Sequence, residues 1–236
     1  MADINGDQQI QSEVLEGLAT AVNHRRWFVE LAVPYLGDDP IEIGSGLGDY
    51  ALEWAERVPR FTATEADHDR LLALKERLSP YPGIEVRQML LPTSEEGNHT
   101  AAVSYNVLEH IDDDVTALRS MARLVRPGGA VVLIVPAFPF ALGPVDVATG
   151  HVRRYTRKTL SAALTDAGMV IERIHYANAL GLIGYYMATS VFKLTPKEGP
   201  MVKWYDTLVL PVTKAAETLV RPPFGQSVFA VARRPH

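Results

Sequence analysis

The sequence predicts an α/β fold, a doubly wound parallel sheet with helices on both faces, and three observations predict it. Short apolar runs of strand length alternate with stretches of helical period from Ile41 onward. The first run, Ile41 to Ile43, passes straight into a glycine turn, "GSGLG", and then into a helical stretch. A later run, "AVVLIVPAF", is apolar along its whole length, as a strand covered on both faces must be. Strands and helices that alternate in this way build one parallel sheet.

Each element has its own justification. Val14 to Leu36 carries apolar residues at helical spacing through "VLEGLATAV" and "WFVELAVPYL", and the turn residues Gly37 to Pro40 end it. Ile41 to Ile43 is the first strand, and "YALEWAERV" resumes helical period after the glycines. "RFTATEA" is a second strand. "DHDRLLALKERL" is the helix after it, capped by Asp67 or Asp69, since a short carboxylate can accept from the orphan amides of a first turn. "IEVRQML" is a third strand; "PTSEEGNH" is too short and polar for a full helix, so "TAAVSYNVL" follows as the fourth. "DDDVTALRSMARLV" is an acid-capped helix that the Arg126-Pro127-Gly128-Gly129 sequence stops. After the fifth strand, "AVVLIVPAF", come a long loop, the helix "TRKTLSAALTDAG", the sixth strand "MVIERIHYA" and, near the end, "SVFAVARR".

With 236 residues, 47% of them hydrophobic, the chain is long enough for one domain with a substantial core, expected over 1–236. Within it, 1–36 reads as an N-terminal helical cap and 180–222 as a helical insertion or lid before the last strand. A net charge of -5 gives no general attraction to a polyanion, so nucleic acid is not an expected partner. The absence of cysteine excludes disulfides, thiolate metal sites and a cysteine nucleophile. The polar, acidic start carries no secretory signal, and no apolar run reaches the ~18 residues of a spanning helix. The expectation is a cytoplasmic chain without a transmembrane segment.

Ligands of such sheets sit at the carboxyl ends of the strands, here Gly44 to Gly48, Glu65, Met89 to Leu90, Asn106 to His110 and the segment from Pro136. A dinucleotide loop needs a glycine three residues after its second glycine, where the helix N-terminus meets the pyrophosphate. Counting from Gly44 and Gly46, that position is Asp49, a carboxylate. Glu42 adds an acid before the turn. Acids on both sides of the loop suit a ligand with positive charge and no phosphate, such as S-adenosylmethionine (SAM), which carries a sulfonium and an ammonium. Glu65 is placed to accept hydrogen bonds from ribose hydroxyls, and would meet an NAD ribose in the same way. A tight turn without a ligand is the alternative reading of the glycines alone.

Together, "IEIGSGLG", "TATEAD", "NVLEHIDDD", "LVRPGGAVVLIVP" and "GHVRRYT" resemble the class I SAM-dependent methyltransferases, from Trp27 to roughly Arg234. "NVLEHI" followed by "RPGG" at this distance is highly specific. "GHVRRYT" and "PFGQSVFAVA" are similar to one subgroup, found in saccharide and envelope-glycan pathways. The resemblance implies a Rossmann-like, seven-stranded sheet whose last strand runs antiparallel beside the sixth. It implies that Glu42, Gly44, Ser45, Gly46 and Gly48 hold the methionine end of SAM, and Glu65 with Ala66 the ribose. It places Asn106, Val107 and Leu108 beside the methyl-bearing sulfur. The family usually has an acid after the third strand for the adenine amino group. Met89 stands there instead, leaving apolar contact and the Leu90 N–H to hold the ring.

A hydroxyl acceptor needs a base as well as alignment, and histidine serves near neutral pH. His151, in the loop after the fifth strand, is the candidate base. Arg153, Arg154 and Tyr155 could grip a polar or anionic acceptor, their alternative being a solvated lead-in to the helix capped near Thr156. His110 reads as closing the turn after the fourth strand, at the acceptor side. Asp112, Asp113 and Asp114 invite Mg²⁺, with Asp146 as a further ligand, but acids there also cap a helix; no metal ligand is assigned. One of Arg25 and Arg26 could meet the methionine carboxylate. The apolar "GLIGYYMATSVF" reads as core, a homodimer contact, a lid or a membrane-surface contact.

The function expected is therefore SAM-dependent O-methylation of a small polar acceptor, a saccharide by resemblance and more narrowly a methylmannoside-type sugar. Alternatives are N- or C-methylation of a small aromatic metabolite, a non-catalytic SAM-binding subunit, and an NAD-dependent oxidoreductase, which Asp49 disfavours.

Overall fold

The computed structural model describes Gly6, residues 20–187 and residues 200–236. Helical expectations over 14–19 and the middle of the expected insertion, 188–199, lie outside the described residues. The strands are β1 (Ile41–Ile43), β2 (Phe61–Glu65), β3 (Ile84–Gln88), β4 (His99–Tyr105), β5 (Val125–Pro136), β6 (Val170–Ala177) and β7 (Ser227–Arg233). Among the described residues they form one sheet in the order β3-β2-β1-β4-β5-β7-β6. β7 runs antiparallel to both β5 and β6, so it lies between them and the sheet is otherwise parallel.

Helices cover both faces: α1 (Val22–Leu36), α2 (Asp49–Ala55), α3 (His68–Leu78), α4 (Asp114–Leu124), α5 (Pro144–Ala148), α6 (Arg157–Asp166), α7 (Ala179–Tyr186), α8 (Pro200–Trp204) and α9 (Leu210–Leu219), the last two joined through a π turn at Tyr205–Val209. The caps follow the sequence. Asp67 accepts from the N–H of Arg70 at 2.9 Å and starts α3, and Asp113 accepts from the N–H of Thr116 at 2.9 Å and starts α4. α4 stops at Leu124, as the proline and glycines require. The next residues do not form a free turn, however: Val125 already pairs with His99, and a register shift brings Ala130 opposite Ala101. β4 ends three residues earlier than expected because Asn106 takes a left-handed backbone, φ 54°.

The core divides by sheet face. Trp27, Phe28, Trp54, Leu74 and Phe229 pack on one side, beneath α1, α2 and α3. Leu118, Met121, Leu160 and Leu164 pack on the other, beneath α4 and α6. Truncating one such buried leucine to alanine costs about 2–5 kcal/mol. The result for function is positional: the carboxyl ends of β1, β2, β4 and β5 are fixed side by side at one edge. No helix among the described residues is long and apolar enough to cross a membrane.

Candidate active site

At the carboxyl end of β1, the chain turns through three glycines with positive φ: Gly44 at 73°, Gly46 at 56° and Gly48 at 87°. L side chains avoid this region, and space is short as well. A Cβ on Gly44 would collide with Val107, and one on Gly48 would lie 2.8 Å from Leu74 Cδ1. The backbone of the loop is thereby brought against the end of β4. Ser45 ties the loop to its neighbours, its N–H donating to the Thr64 carbonyl at 2.7 Å and its hydroxyl to Glu42 at 2.7 Å.

Glu42 is buried under the loop, its second oxygen accepting from the Trp54 indole N–H at 3.2 Å. Burial pushes its carboxyl up to about 7, the Ser45 and Trp54 hydrogen bonds opposing the shift and the neighbouring acids Glu65 and Asp49 adding to it. Glu65, at the end of β2, is buried too. It accepts from the N–H of Gly46 at 2.8 Å, the N–H of Asp67 at 3.0 Å and Arg70 Nε at 3.4 Å. A carboxylate has about four acceptor positions, so taking both ribose hydroxyls requires one of these contacts to be exchanged for the ligand.

Two expectations about this half need correction. Asp49 does not present a bare charge to the loop: Arg77 pairs with it at 2.7 Å and also donates to the Leu47 carbonyl at 2.7 Å. The case against a pyrophosphate therefore rests on the glycine spacing and on Glu42, not on Asp49. The Leu108 side chain offers no surface to a cofactor, being 1% exposed and part of the core beside α4, so only its backbone is left for the expected role. Asn106 is exposed at the end of β4, as expected, and its N–H holds the Ile134 carbonyl at 2.8 Å. Met89 is buried and Leu90 half-exposed, while Ala66 is fixed through its carbonyl by Gln88 at 2.9 Å. Arg25 and Arg26 both lie beside Glu53, at 3.5 and 3.9 Å. The loop's chemistry fits SAM: backbone opened by three glycines between two buried acids, with a polar residue at the neighbouring strand end.

The second half forms where the loop after β5 folds back on the end of β4. Val152 N–H donates to the Glu109 carbonyl at 2.9 Å, and Tyr155 N–H to the Pro136 carbonyl at 2.9 Å. Asp146 in α5 organises the interior. Its Oδ1 meets His151 Nδ1 at 2.7 Å and Arg154 Nε at 2.9 Å; its Oδ2 accepts from the Gly143 N–H at 2.8 Å and the Tyr185 hydroxyl at 3.1 Å. Burial alone would raise its carboxyl, but the His151 hydrogen bond and the Arg154 charge outweigh it and hold it at about 2. An ionised Asp146 accepts from His151 Nδ1–H, so that in the neutral imidazole the lone pair is on Nε2.

The structure therefore revises the acceptor-side expectations. Arg154 is 7% exposed and is engaged with Asp146 and the Ala137 carbonyl, beneath the Tyr185 ring. Tyr155 is buried, and its hydroxyl donates to Asp114 at 2.9 Å. Arg153 pairs with Asp114 at 2.8 Å and donates to the Asp112 carbonyl at 2.6 Å. These three residues hold the loop rather than reach out for an acceptor, and the solvated lead-in fails equally for Arg154 and Tyr155. Both Asp146 oxygens are engaged within the chain, one of them by His151. Asp113 caps α4 and Asp114 is taken by Arg153 and Tyr155, so the aspartate run does not converge on one point. His110 closes the turn through its N–H to Val107 at 3.0 Å, and its ring stands perpendicular to His151 at 4.6 Å.

Sequence reasoning missed Glu109. It is 0% exposed, neither carboxylate oxygen has a hydrogen-bond partner, and Oε1 lies 3.9 Å from His151 Nε2. Burial pushes its carboxyl up to about 7, with His151 opposing. An acid inside the apolar stretch "NVLEHI" was the available signal. Tyr185 was missed because it comes from α7, remote in sequence.

Comparison with known proteins gives the family. The profile of a family described as "Methyltransferase domain" matches residues 41–133, from β1 through most of β5. An uncharacterised methyltransferase of Mycobacterium leprae is 27% identical over 193 residues, 78% of this chain and 70% of that protein. This chain is a SAM-dependent methyltransferase. Over a shorter span, this methyltransferase is 30% identical to the ubiquinone/menaquinone biosynthesis C-methyltransferase UbiE of Bdellovibrio bacteriovorus, across 50% of the chain and 53% of that protein. Among solved structures, its fold matches one from a complex between the Haloferax volcanii Trm112 methyltransferase activator and a methyltransferase. The TM-score is 0.65 at 14% identity, covering 98% of this chain and 99% of that one.

Proposed function

We propose that this methyltransferase acts on a hydroxyl of a small polar acceptor, a saccharide being the leading class, with His151 receiving the hydroxyl proton. The observation that carries the reading is the Asp146–His151 contact at 2.7 Å, in the segment that folds back on the end of β4. SAM supplies a methyl group already activated by the sulfonium, so the protein has to align, exclude water and take one proton. Glu42 and the glycine loop hold the methionine end, Glu65 the ribose, and Asn106 flanks the transfer. As the acceptor oxygen bonds to the methyl carbon, the carbon–sulfur bond breaks, its electrons remain on sulfur, and the hydroxyl proton passes to His151 Nε2. Asp146 keeps that nitrogen free of hydrogen beforehand and stabilises the imidazolium afterwards. In this reading α7, which opens the expected insertion, is a lid over this side; the Tyr185 hydrogen bond to Asp146 supports it.

The test is transfer of labelled methyl from SAM to a panel of free and glycosidic sugars, with the product's methyl located by NMR. An O-methyl signal that His151→Ala abolishes supports the reading. A methyl on carbon or nitrogen, or full turnover in the variant, contradicts it.

A further inference from the structure

Two residues beside His151, Glu109 and His110, take no part in the proton transfer. Glu109, His110 and His151 each offer one ligand atom, and these atoms lie within 4.8 Å of one another. Glu109 is wholly buried and neither of its oxygens has a hydrogen-bond partner. Its Oε1 faces His151 Nε2 across 3.9 Å. Asp146, taking the proton side of the same imidazole at Nδ1, makes Nε2 a lone pair. An acceptor oxygen and an acceptor nitrogen thus lie 3.9 Å apart with no other group bonded to that carboxylate, close enough for one cation to hold both.

We infer that Glu109, His110 and His151 form a binding site for a divalent transition-metal ion, of which Zn²⁺ is the representative. Two imidazoles and one carboxylate are the donor set of open zinc sites with room for a further ligand. Mg²⁺ and Ca²⁺, which prefer oxygen, fit it poorly. Ligand atoms on one tetrahedral zinc ion are roughly 3.3 Å apart, given bonds of about 2.0–2.1 Å, so small side-chain rotations complete the site. Asp146 fills the place of the carboxylate that commonly accepts from the outer nitrogen of a zinc-bound histidine. His151 is 17% exposed at its side chain, which gives the ion an entry and leaves one coordination position facing the acceptor side.

The chemical consequence rests on the hydroxyl reading above. A hydroxyl in that open position would ionise on the metal, its proton leaving to water, and His151 would then act as ligand in place of base. The site itself does not depend on that reading, and the experiment keeps the two apart. The full chain is stripped with chelator and titrated calorimetrically with Zn²⁺ alone, with Mg²⁺ in parallel. The expected result is one Zn²⁺ per chain, bound at least about 10-fold more weakly by Glu109→Gln and by His151→Asn, with no comparable Mg²⁺ binding. Binding of S-adenosylhomocysteine by each variant verifies its fold. Should a variant not fold, X-ray absorption of the zinc-loaded natural chain decides: two imidazoles and a carboxylate oxygen support the site, any other shell overturns it. Absence of one-to-one binding, or binding that both folded variants leave unchanged, also overturns it. Zinc binding with no methylation of any sugar removes the acceptor reading alone; methylation that survives chelation, with no zinc bound, removes the metal alone.

Discussion

His151 Nδ1 lies 2.7 Å from Asp146 Oδ1, and the same oxygen takes Arg154 from the other side, at 2.9 Å from Nε and 2.8 Å from Nη2. One carboxylate therefore sets the imidazole's tautomer and is itself kept ionised by a guanidinium. In the neutral imidazole the arrangement puts the lone pair on the outer nitrogen.

Replacing Asp146 by asparagine keeps the shape and removes the charge. Turnover is expected to fall by about 10²–10⁴-fold, the range of a positioned proton acceptor, while the affinity for S-adenosylhomocysteine stays near that of the natural chain. Steady-state kinetics and calorimetry on the same preparation check this. Unchanged turnover would remove Asp146 from the account.

Glu65 has a double task, clamping Gly46 and capping the approach to α3. Glu65→Gln retains two acceptor positions on its carbonyl oxygen but loses the charge facing Arg70 and the ribose. Affinity for S-adenosylhomocysteine is expected to drop by at least about 10-fold, the equivalent of about 1.4 kcal/mol. Titration of the variant measures it, and an undiminished affinity argues against the ribose assignment.

The fold was legible because its signals are local. The alternation of apolar runs, Asp67 and Asp113 as caps, and the proline and glycines after Leu124 each act within a few residues. Gly44, Gly46 and Gly48 were legible for the same reason, since a tight strand-to-helix turn needs positive φ. What was not legible depends on partners far away in the chain. Arg77 neutralises Asp49 from α3, Tyr185 reaches Asp146 from α7, and Asp114 receives both Arg153 and Tyr155. "GHVRRYT" looked like a substrate grip because sequence shows charges and not the groups that absorb them. β4 ends at Tyr105, before the three residues that continue its apolar run, and the turn that follows directs the Leu108 side chain into the core.

Glu42 carries a pH signature. Its carboxyl sits at about 7 in the folded chain, so about half of it holds a proton at that pH. The folded state binds a proton that the unfolded one has released, so stability from this residue falls as pH rises from about 4.5 through about 7 and then levels off. A cationic ammonium bound beside it favours the ionised form. Binding of S-adenosylhomocysteine at pH 7 is expected to release up to about half a proton. Calorimetry in buffers of different ionisation enthalpy reads this, and Glu42→Gln is expected to abolish it. Equal release by the variant assigns the proton elsewhere.

Gly44→Ala places a methyl group against Val107 and forces a left-handed backbone on alanine. Both effects oppose the loop's geometry, so weaker S-adenosylhomocysteine binding and a lowered Tm are expected. Adding Val107→Ala removes the collision but not the backbone strain, so it is expected to restore part of each. Double-variant melting curves test the split; no recovery would mean that strain alone accounts for the loss.

The most direct test of the account is a calorimetric titration of the purified chain with S-adenosylhomocysteine, alongside NAD. The glycine loop between Glu42 and Glu65 predicts micromolar binding of the first and none of the second. Binding of NAD, or of neither, would contradict the assignment of this loop to SAM.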